Sequence, residues 1–289
     1  INRIKGRVVA VCMNLFSRKF TGVGGLGPAG TPVVAIGNDH KVVSTRLSVR
    51  CVHGPLAIVF AMCVFHFGVE AHHVAAIHAA GLKVICSATT LEEAIHLDAL
   101  GCDAVIAQGS EAGGHRGTFI GDYQRAMIGT MALVPQVVDA VSVPVIAAGG
   151  IMDARGILAC KALGAGAVQM GTAFLGCPES GIPNVWREQL KAASPSQTAV
   201  TTVMSGKPAR GLANRYIQDM EALEVAPMPY PLQYALSGAI RKKAAEQGNS
   251  DFLAMWSGQG VGMLRELPAA ELLKALVTET QTLLANLVD

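Results

Sequence analysis

Long hydrophobic runs, paired cysteines and a strong charge of either sign are what this 289-residue chain lacks, and each absence removes a class of protein. The longest apolar run, Leu56-Ala57-Ile58-Val59-Phe60-Ala61-Met62-Cys63-Val64-Phe65, falls well short of the roughly 20 residues a spanning helix needs. The polar opening Ile1-Asn2-Arg3-Ile4-Lys5-Gly6 has no signal-peptide pattern. A formal net charge of +2, without a basic stripe interleaved with aromatics, argues against nucleic acid as a partner. The seven cysteines are scattered singly, with no CxxC pair and an odd total. They read as reduced core residues of a cytoplasmic protein. What is abundant is apolar material: 51% hydrophobic residues are ample for a large core, built as one α/β barrel or as two modest domains.

Organisation is clearest between residues 83 and 176. Four short runs, Lys83-Val84-Ile85-Cys86-Ser87, Ala104-Val105-Ile106-Ala107, Val143-Pro144-Val145-Ile146-Ala147-Ala148 and Ala167-Val168-Gln169-Met170-Gly171, are apolar with little alternation. Such runs are buried on both faces, as strands of a parallel sheet are. Helical segments separate them. Thr90-Leu91-Glu92-Glu93 predicts a capping box, with Gly101 placed for a left-handed helix end. Asp153 predicts a second helix start, ending at Gly164. A strand–helix unit of about 20 residues fits a (β/α)8 barrel, although a doubly wound sheet alternates as well.

Two strand ends carry glycine turns. Ala147-Ala148-Gly149-Gly150 closes one strand, and Gln169-Met170-Gly171-Thr172 closes the next. Either alone would serve as an ordinary strand-to-helix turn. Two of them one unit apart favour a phosphate site, because backbone N–H groups can face an anion where no side chain blocks its approach. A mononucleotide such as FMN is the natural occupant.

The connection from Gln108 to a helix near Met131 is longer than its neighbours, and long loops in compact domains are usually functional. It opens Ala107-Gln108-Gly109-Ser110-Glu111-Ala112-Gly113-Gly114-His115-Arg116-Gly117 and holds Glu111, His115, Arg116, Asp122 and Tyr123 as candidates for chemistry. A lone loop histidine is more often a solvated side chain. The glycine framing and the strand-end position select His115 for function. His66 on an apolar strand reads first as a core histidine. His72, His73 and His78 have helical spacing, but no carboxylate or cysteine completes a metal site, so no metal is expected. Cys86 and Cys102 read as packing residues.

These segments resemble a known family. Ala107 to Gly117, Pro144 to Asp153 with Arg155-Gly156, and Ala167 to Phe174 are similar to the flavin-binding motifs of nitronate monooxygenases, formerly called 2-nitropropane dioxygenases. The resemblance continues through Gly206-Lys207-Pro208-Ala209-Arg210, Asn214-Arg215, Gly248-Asn249-Ser250-Asp251-Phe252 and Trp256-Ser257-Gly258-Gln259. It implies an FMN-dependent TIM-type barrel in which Asn14, Gln108 and Gly113 contact the flavin ring. Gly150, Gln169, Met170, Gly171 and Thr172 would hold the ribityl phosphate, and His115 would be the active-site histidine. The implied reaction is oxidation of alkyl nitronates, of the propionate 3-nitronate type, with O2 to a carbonyl compound and nitrite. His115 would hold the nitronate as a positive or hydrogen-bond-donating group, or act as base on a neutral nitroalkane. The implied partners are the small-molecule nitronate and O2, with a homodimer as the assembly to test.

The first third departs from the family order. Gly24-Gly25-Leu26-Gly27 follows Asn14 instead of preceding it, and residues 17 to 55 match poorly. The expectation is a barrel atypical or incomplete at its N-terminus, spanning 1–197. A smaller, mainly helical cap follows over 198–260, where Pro227-Met228-Pro229-Tyr230-Pro231 interrupts two helical stretches. Residues 261–289 would return to the barrel as a final helix. Two other readings stand beside this one: an NADH:quinone or enoyl-acyl carrier protein reductase of the same flavin barrel, and a flavin-free scaffold.

Overall fold

The computed structural model describes residues 9–12, 42–48 and 59–287, with side chains from Met62 onward. In chain order the elements are β1 (Val9–Cys12), β2 (Val42–Ser48), β3 (Val59–Phe65), α1 (Ala71–Ala79), β4 (Lys83–Ala88), α2 (Leu91–Ala99), β5 (Ala104–Gln108) and the two-residue β6 (Gly114–His115). They continue as α3 (Thr130–Ala140), β7 (Val145–Ala148), α4 (Ala154–Ala162), β8 (Ala167–Met170), α5 (Thr172–Leu175), α6 (Asn184–Ala192), β9 (Thr198–Thr201) and β10 (Ala209–Leu212). The chain then runs through α7 (Arg215–Ala222), α8 (Leu232–Leu236), α9 (Gly238–Glu246) and the long α10 (Ala269–Asn286).

The main sheet has the order β1-β8-β7-β5-β4-β3-β2, and every pair is parallel except β2 with β3. The four apolar runs of residues 83–171 become β4, β5, β7 and β8, buried on both faces. Val84, Cys86, Val105, Ala107, Val145, Ala147, Val168 and Met170 point into the core beneath the helices. Their neighbours Ala104, Ile106, Ile146 and Ala148 join Val64 on the opposite face in a separate cluster. Two-sided burial explains why these strands show no polar alternation. The last seven residues of the run that ends at Phe65 form β3, where Cys63, Val64 and Phe65 are buried. No helix among the described residues is long and apolar enough to cross a membrane.

Helix starts follow from side-chain chemistry. Asp153 accepts from Arg155 N and Gly156 N at the start of α4, and Thr90 accepts from Glu93 N at the start of α2. Gly101 and Gly164 follow α2 and α4 with φ of +84° and +94°, in the left-handed region that favours glycine. The capping box at Thr90 is only half made. Glu93 is fully buried, and instead of returning to the backbone of Thr90 its carboxylate accepts from Thr89 N, Thr89 Oγ1, Phe119 N and Ile120 N. It thereby ties the long loop after β5 to α2.

Residues 198–260 are more than helices. β9 and β10 form an antiparallel pair, and β10 pairs on its other edge with β6 from the loop after β5. A second apolar cluster, with Trp186, Leu190, Met204, Leu212, Ile217 and Trp256, supports this region. α10 packs back on α4, and Arg265, just before it, reaches Glu279 on it with two hydrogen bonds of 2.7 and 2.9 Å.

Candidate active site

A cavity of about 380 Å³ opens at the carboxyl ends of β3, β5, β7 and β8. Its size falls in the roughly 300–1,000 Å³ range of small-molecule sites. His115, Gln108, Gly113, Gly150, Gln169, Met170, Gly171 and Thr172 all line it, so eight of the nine residues singled out in the sequence meet in one place. The ninth, Asn14, lies outside the described residues.

His115 is delivered by a short strand, not by a free loop. β6 pairs with β10 in the register Ala209↔His115, and the carbonyl oxygen of His115 is held from below. Gln108 Nε2 and His66 Nε2 both donate to it, each at 3.0 Å. Gln108 Oε1 in turn accepts from Gly117 N at 2.8 Å. His66 therefore has two functions: its proton is satisfied, as a core histidine requires, and its ring still lines the cavity. The imidazole of His115 is enclosed by Phe67, Tyr230 and Trp256, with ring centroids 5.9, 5.4 and 5.6 Å away.

This enclosure sets its charge. Burial, then the neighbouring His66 and Lys207, pushes His115 down to about 4, and burial does the same to His66. Both rings are neutral near pH 7. Of the two forms expected for His115, desolvation disfavours the positive one and leaves the hydrogen-bond donor. Its Nε2 lies 2.9 Å from the hydroxyl of Ser205, on the turn between β9 and β10.

The remaining loop candidates serve the scaffold. Glu111 accepts from Thr130 N and Thr130 Oγ1 at the start of α3, where a carboxylate complements the helix dipole. Arg116 is almost wholly buried, and its guanidinium donates to the carbonyls of Gly109, Gln108 and Ala126 at 2.6, 3.1 and 3.0 Å. It stays charged, although burial and Arg210 bring it down to about 10. Asp122 makes a local turn with Gln124 N, and Tyr123 is absent from the cavity wall. His78 pairs with Asp103 at 2.8 Å, and no cluster that could hold a metal occurs among the described residues.

The far side of the cavity fits a flavin phosphate. Among the described residues its wall holds no lysine, arginine, aspartate or glutamate, which leaves an anion to backbone N–H groups and hydroxyls. A Cβ on Gly171 would meet nothing within 4 Å, so this glycine leaves open space at the wall. Thr172 Oγ1 accepts from Gly258 N at 2.9 Å, and its own proton has no acceptor among the described residues. Gly149 and Gly150 turn with φ of +119° and +70°. On the wall, Gly113 and Gly258 touch backbone to backbone, since a Cβ on Gly113 would lie 2.5 Å from Gly258 N.

Sequence reasoning assigned no role to Phe67, Ser205, Tyr230, Tyr234 or Gly260, which line the cavity or touch His115. Gly258-Gln259-Gly260 was legible as a glycine pair like those at the strand ends. Phe67, with a φ of +75° that aromatic residues rarely adopt, leaves no mark in the sequence.

Fold and site together define an α/β protein with a cofactor-sized cavity at the carboxyl ends of a parallel sheet. The family model described as Nitronate monooxygenase matches residues 35–279, and the chain belongs to that family. It is 52% identical over 217 residues to a nitronate monooxygenase of Pseudomonas aeruginosa, covering 74% of this chain and 62% of that protein. It is 42% identical over 256 residues to a probable nitronate monooxygenase of Staphylococcus haemolyticus, covering 88% and 70%. The chain thus spans a little under two thirds of the length of the first of these relatives. Among solved structures, a nitroalkane oxidase from Streptomyces ansochromogenes matches with a TM-score of 0.74 at 42% identity, covering 78% of this chain and 65% of that one. FabK from Thermotoga maritima matches at 0.66 and 32%, covering 78% and 70%.

Proposed function

We propose that this protein is a nitronate monooxygenase, which oxidises alkyl nitronates with O2 to a carbonyl compound and nitrite and uses FMN as its flavin. The observation that carries the reading is the meeting of His115, Gln108 and the glycine turns in one cavity, in a chain of this family. In this reading the sheet is the wall of a flavin barrel atypical at its N-terminus, covering 1–197. Residues 198–260 form the cap, and 261–289 return to the barrel. Buried free cysteines suit the reducing cytoplasm.

FMN, when bound, supplies the electron acceptor that the side chains lack. Gly150, Gln169, Met170, Gly171 and Thr172 would hold its ribityl phosphate, and Gln108 and Gly113 would contact the ring. Phe67, Tyr230 and Trp256 exclude water from the space beside His115. A neutral His115 brings no positive charge to that space, and its ring can take a proton from a neutral nitroalkane.

The test is the anaerobic visible spectrum of the protein supplied with FMN, before and after propionate 3-nitronate. A bound flavin whose spectrum changes on addition supports the reading. A bound flavin unchanged by the nitronate overturns it, and bleaching by NADH then selects the reductase alternative. Failure to bind FMN selects the flavin-free scaffold.

A further inference from the structure

We propose that Ser205 is a positioning residue that holds His115 in its Nε2–H tautomer, leaving Nδ1 as the open acceptor of the ring. The inference rests on the reading above only in taking His115 to be the reactive group. The geometry itself is independent of it.

Ser205 is fully buried, and its hydroxyl has three neighbours. The carbonyl of Lys207, 3.0 Å away, can only accept, so the single hydroxyl proton belongs there. Lys207 N, at 3.4 Å, can only donate. The third neighbour is His115 Nε2 at 2.9 Å. All three contacts are satisfied together only if Nε2 carries the proton and donates to Ser205 Oγ. With the opposite tautomer, the one hydroxyl proton would have to serve both Nε2 and the Lys207 carbonyl. One of these two acceptors would then lose the hydroxyl proton. Nδ1 has no protein partner among the described residues.

The turn that carries Ser205 is rigidly placed. Gly206 N donates to the carbonyl of Thr202 at 2.7 Å. Gly206 sits at φ +85°, and a Cβ there would strike the backbone of Met228 and Tyr230. The Ala209↔His115 register then fixes how this turn folds back over the imidazole. A residue of the β9–β10 region, remote in sequence from the strand ends, thus decides which ring nitrogen can accept a proton.

The experiment is nitrogen NMR on the FMN-loaded protein labelled at the histidine ring nitrogens, with His115 assigned by its loss in His115→Gln. Near pH 7 the native protein is expected to show His115 neutral, with Nε2 protonated and Nδ1 bare. In Ser205→Ala the tautomer ratio should fall by about tenfold, the equivalent of about 1.4 kcal/mol, and Ser205→Thr should restore it. A native His115 protonated on Nδ1, or a ratio unchanged in Ser205→Ala, overturns the proposal. The tautomer is read without turnover, so a native protein that shows the expected pattern but ignores nitronates would sink the functional reading and leave Ser205 in its role. If Ser205→Ala does not fold, the native tautomer and Ser205→Thr still decide the question.

Discussion

Gln108 Nε2 donates to the carbonyl oxygen of His115 at 3.0 Å, so the last residue of a core strand sets the height of the imidazole above the sheet. The same amide accepts from Gly117 N, clamping the loop on both sides of Arg116. Gln108→Leu keeps the volume and loses both bonds, leaving Gly117 N unpaired in a buried place. The expected cost is about 1–3 kcal/mol of stability, with a fall in turnover of roughly 10- to 100-fold as the ring loses its position. Thermal denaturation and nitronate kinetics measure the two. Turnover within twofold of the native protein would show that His66, which donates to the same carbonyl, is a sufficient anchor alone.

Gly171→Ala separates flavin binding from folding. Its φ of −105° suits any residue, and its Cβ would meet nothing within 4 Å of protein. The flavin-free protein should therefore melt as the native one does. A methyl group at the proposed phosphate cradle should still weaken FMN binding by about tenfold or more, equivalent to about 1.4 kcal/mol. Flavin titration followed by fluorescence quenching reads the affinity. Unchanged affinity would move the phosphate away from Gly171.

Gly113→Ala makes the opposite case. Its Cβ would lie 2.5 Å from Gly258 N and 2.5 Å from the carbonyl carbon of Ser257, both backbone atoms that cannot rotate away. The loop after β5 and the segment after Trp256 must part, at about 1–3 kcal/mol. Stability and flavin affinity should fall together. A variant that keeps its melting temperature would mean that the contact between the two segments is loose.

Much of this was legible in the sequence because it depends on local chemistry. Strands β4, β5, β7 and β8 announced themselves as apolar runs, and Asp153, Gly101 and Gly164 marked helix ends through side-chain caps and left-handed backbone. The glycine turns and His115 stood at strand ends. What escaped depends on contacts between residues far apart in the chain. Glu93 looked like half of a capping box, but a loop 26 residues away offered it two half-buried N–H groups, and those won. Arg116 looked catalytic because its neighbours were, although three carbonyls of its own loop claim its guanidinium. Ser205 is an ordinary serine until the pairing of Ala209 with His115 places it.

The two buried histidines predict how stability changes with pH. His66 and His115 are both held at about 4, against an ordinary value near 6.5. Between these values the unfolded chain binds protons that the folded protein does not, so stability rises with pH across this window. In the other direction, as pH falls from about 6.5 toward 4, each histidine withdraws stability of about 2–3 kcal/mol. Above the window both states are neutral, and these groups contribute no slope. The groups facing His115 are His66, Lys207 and Tyr230. None of them supplies a negative charge near neutral pH that would return the ring to its ordinary range. Chemical denaturation at pH 4.5, 5.5, 6.5 and 7.5 should show the midpoint falling mainly below 6.5. His66→Gln should flatten the slope, because its amide can still donate to the His115 carbonyl and does not titrate. The same neutrality bears on turnover of a preformed nitronate, whose pH profile should show no inflection near 6.5 from His115. An inflection there, abolished in His115→Gln, would place the ring in a wetter setting than its enclosure by Phe67, Tyr230 and Trp256 allows.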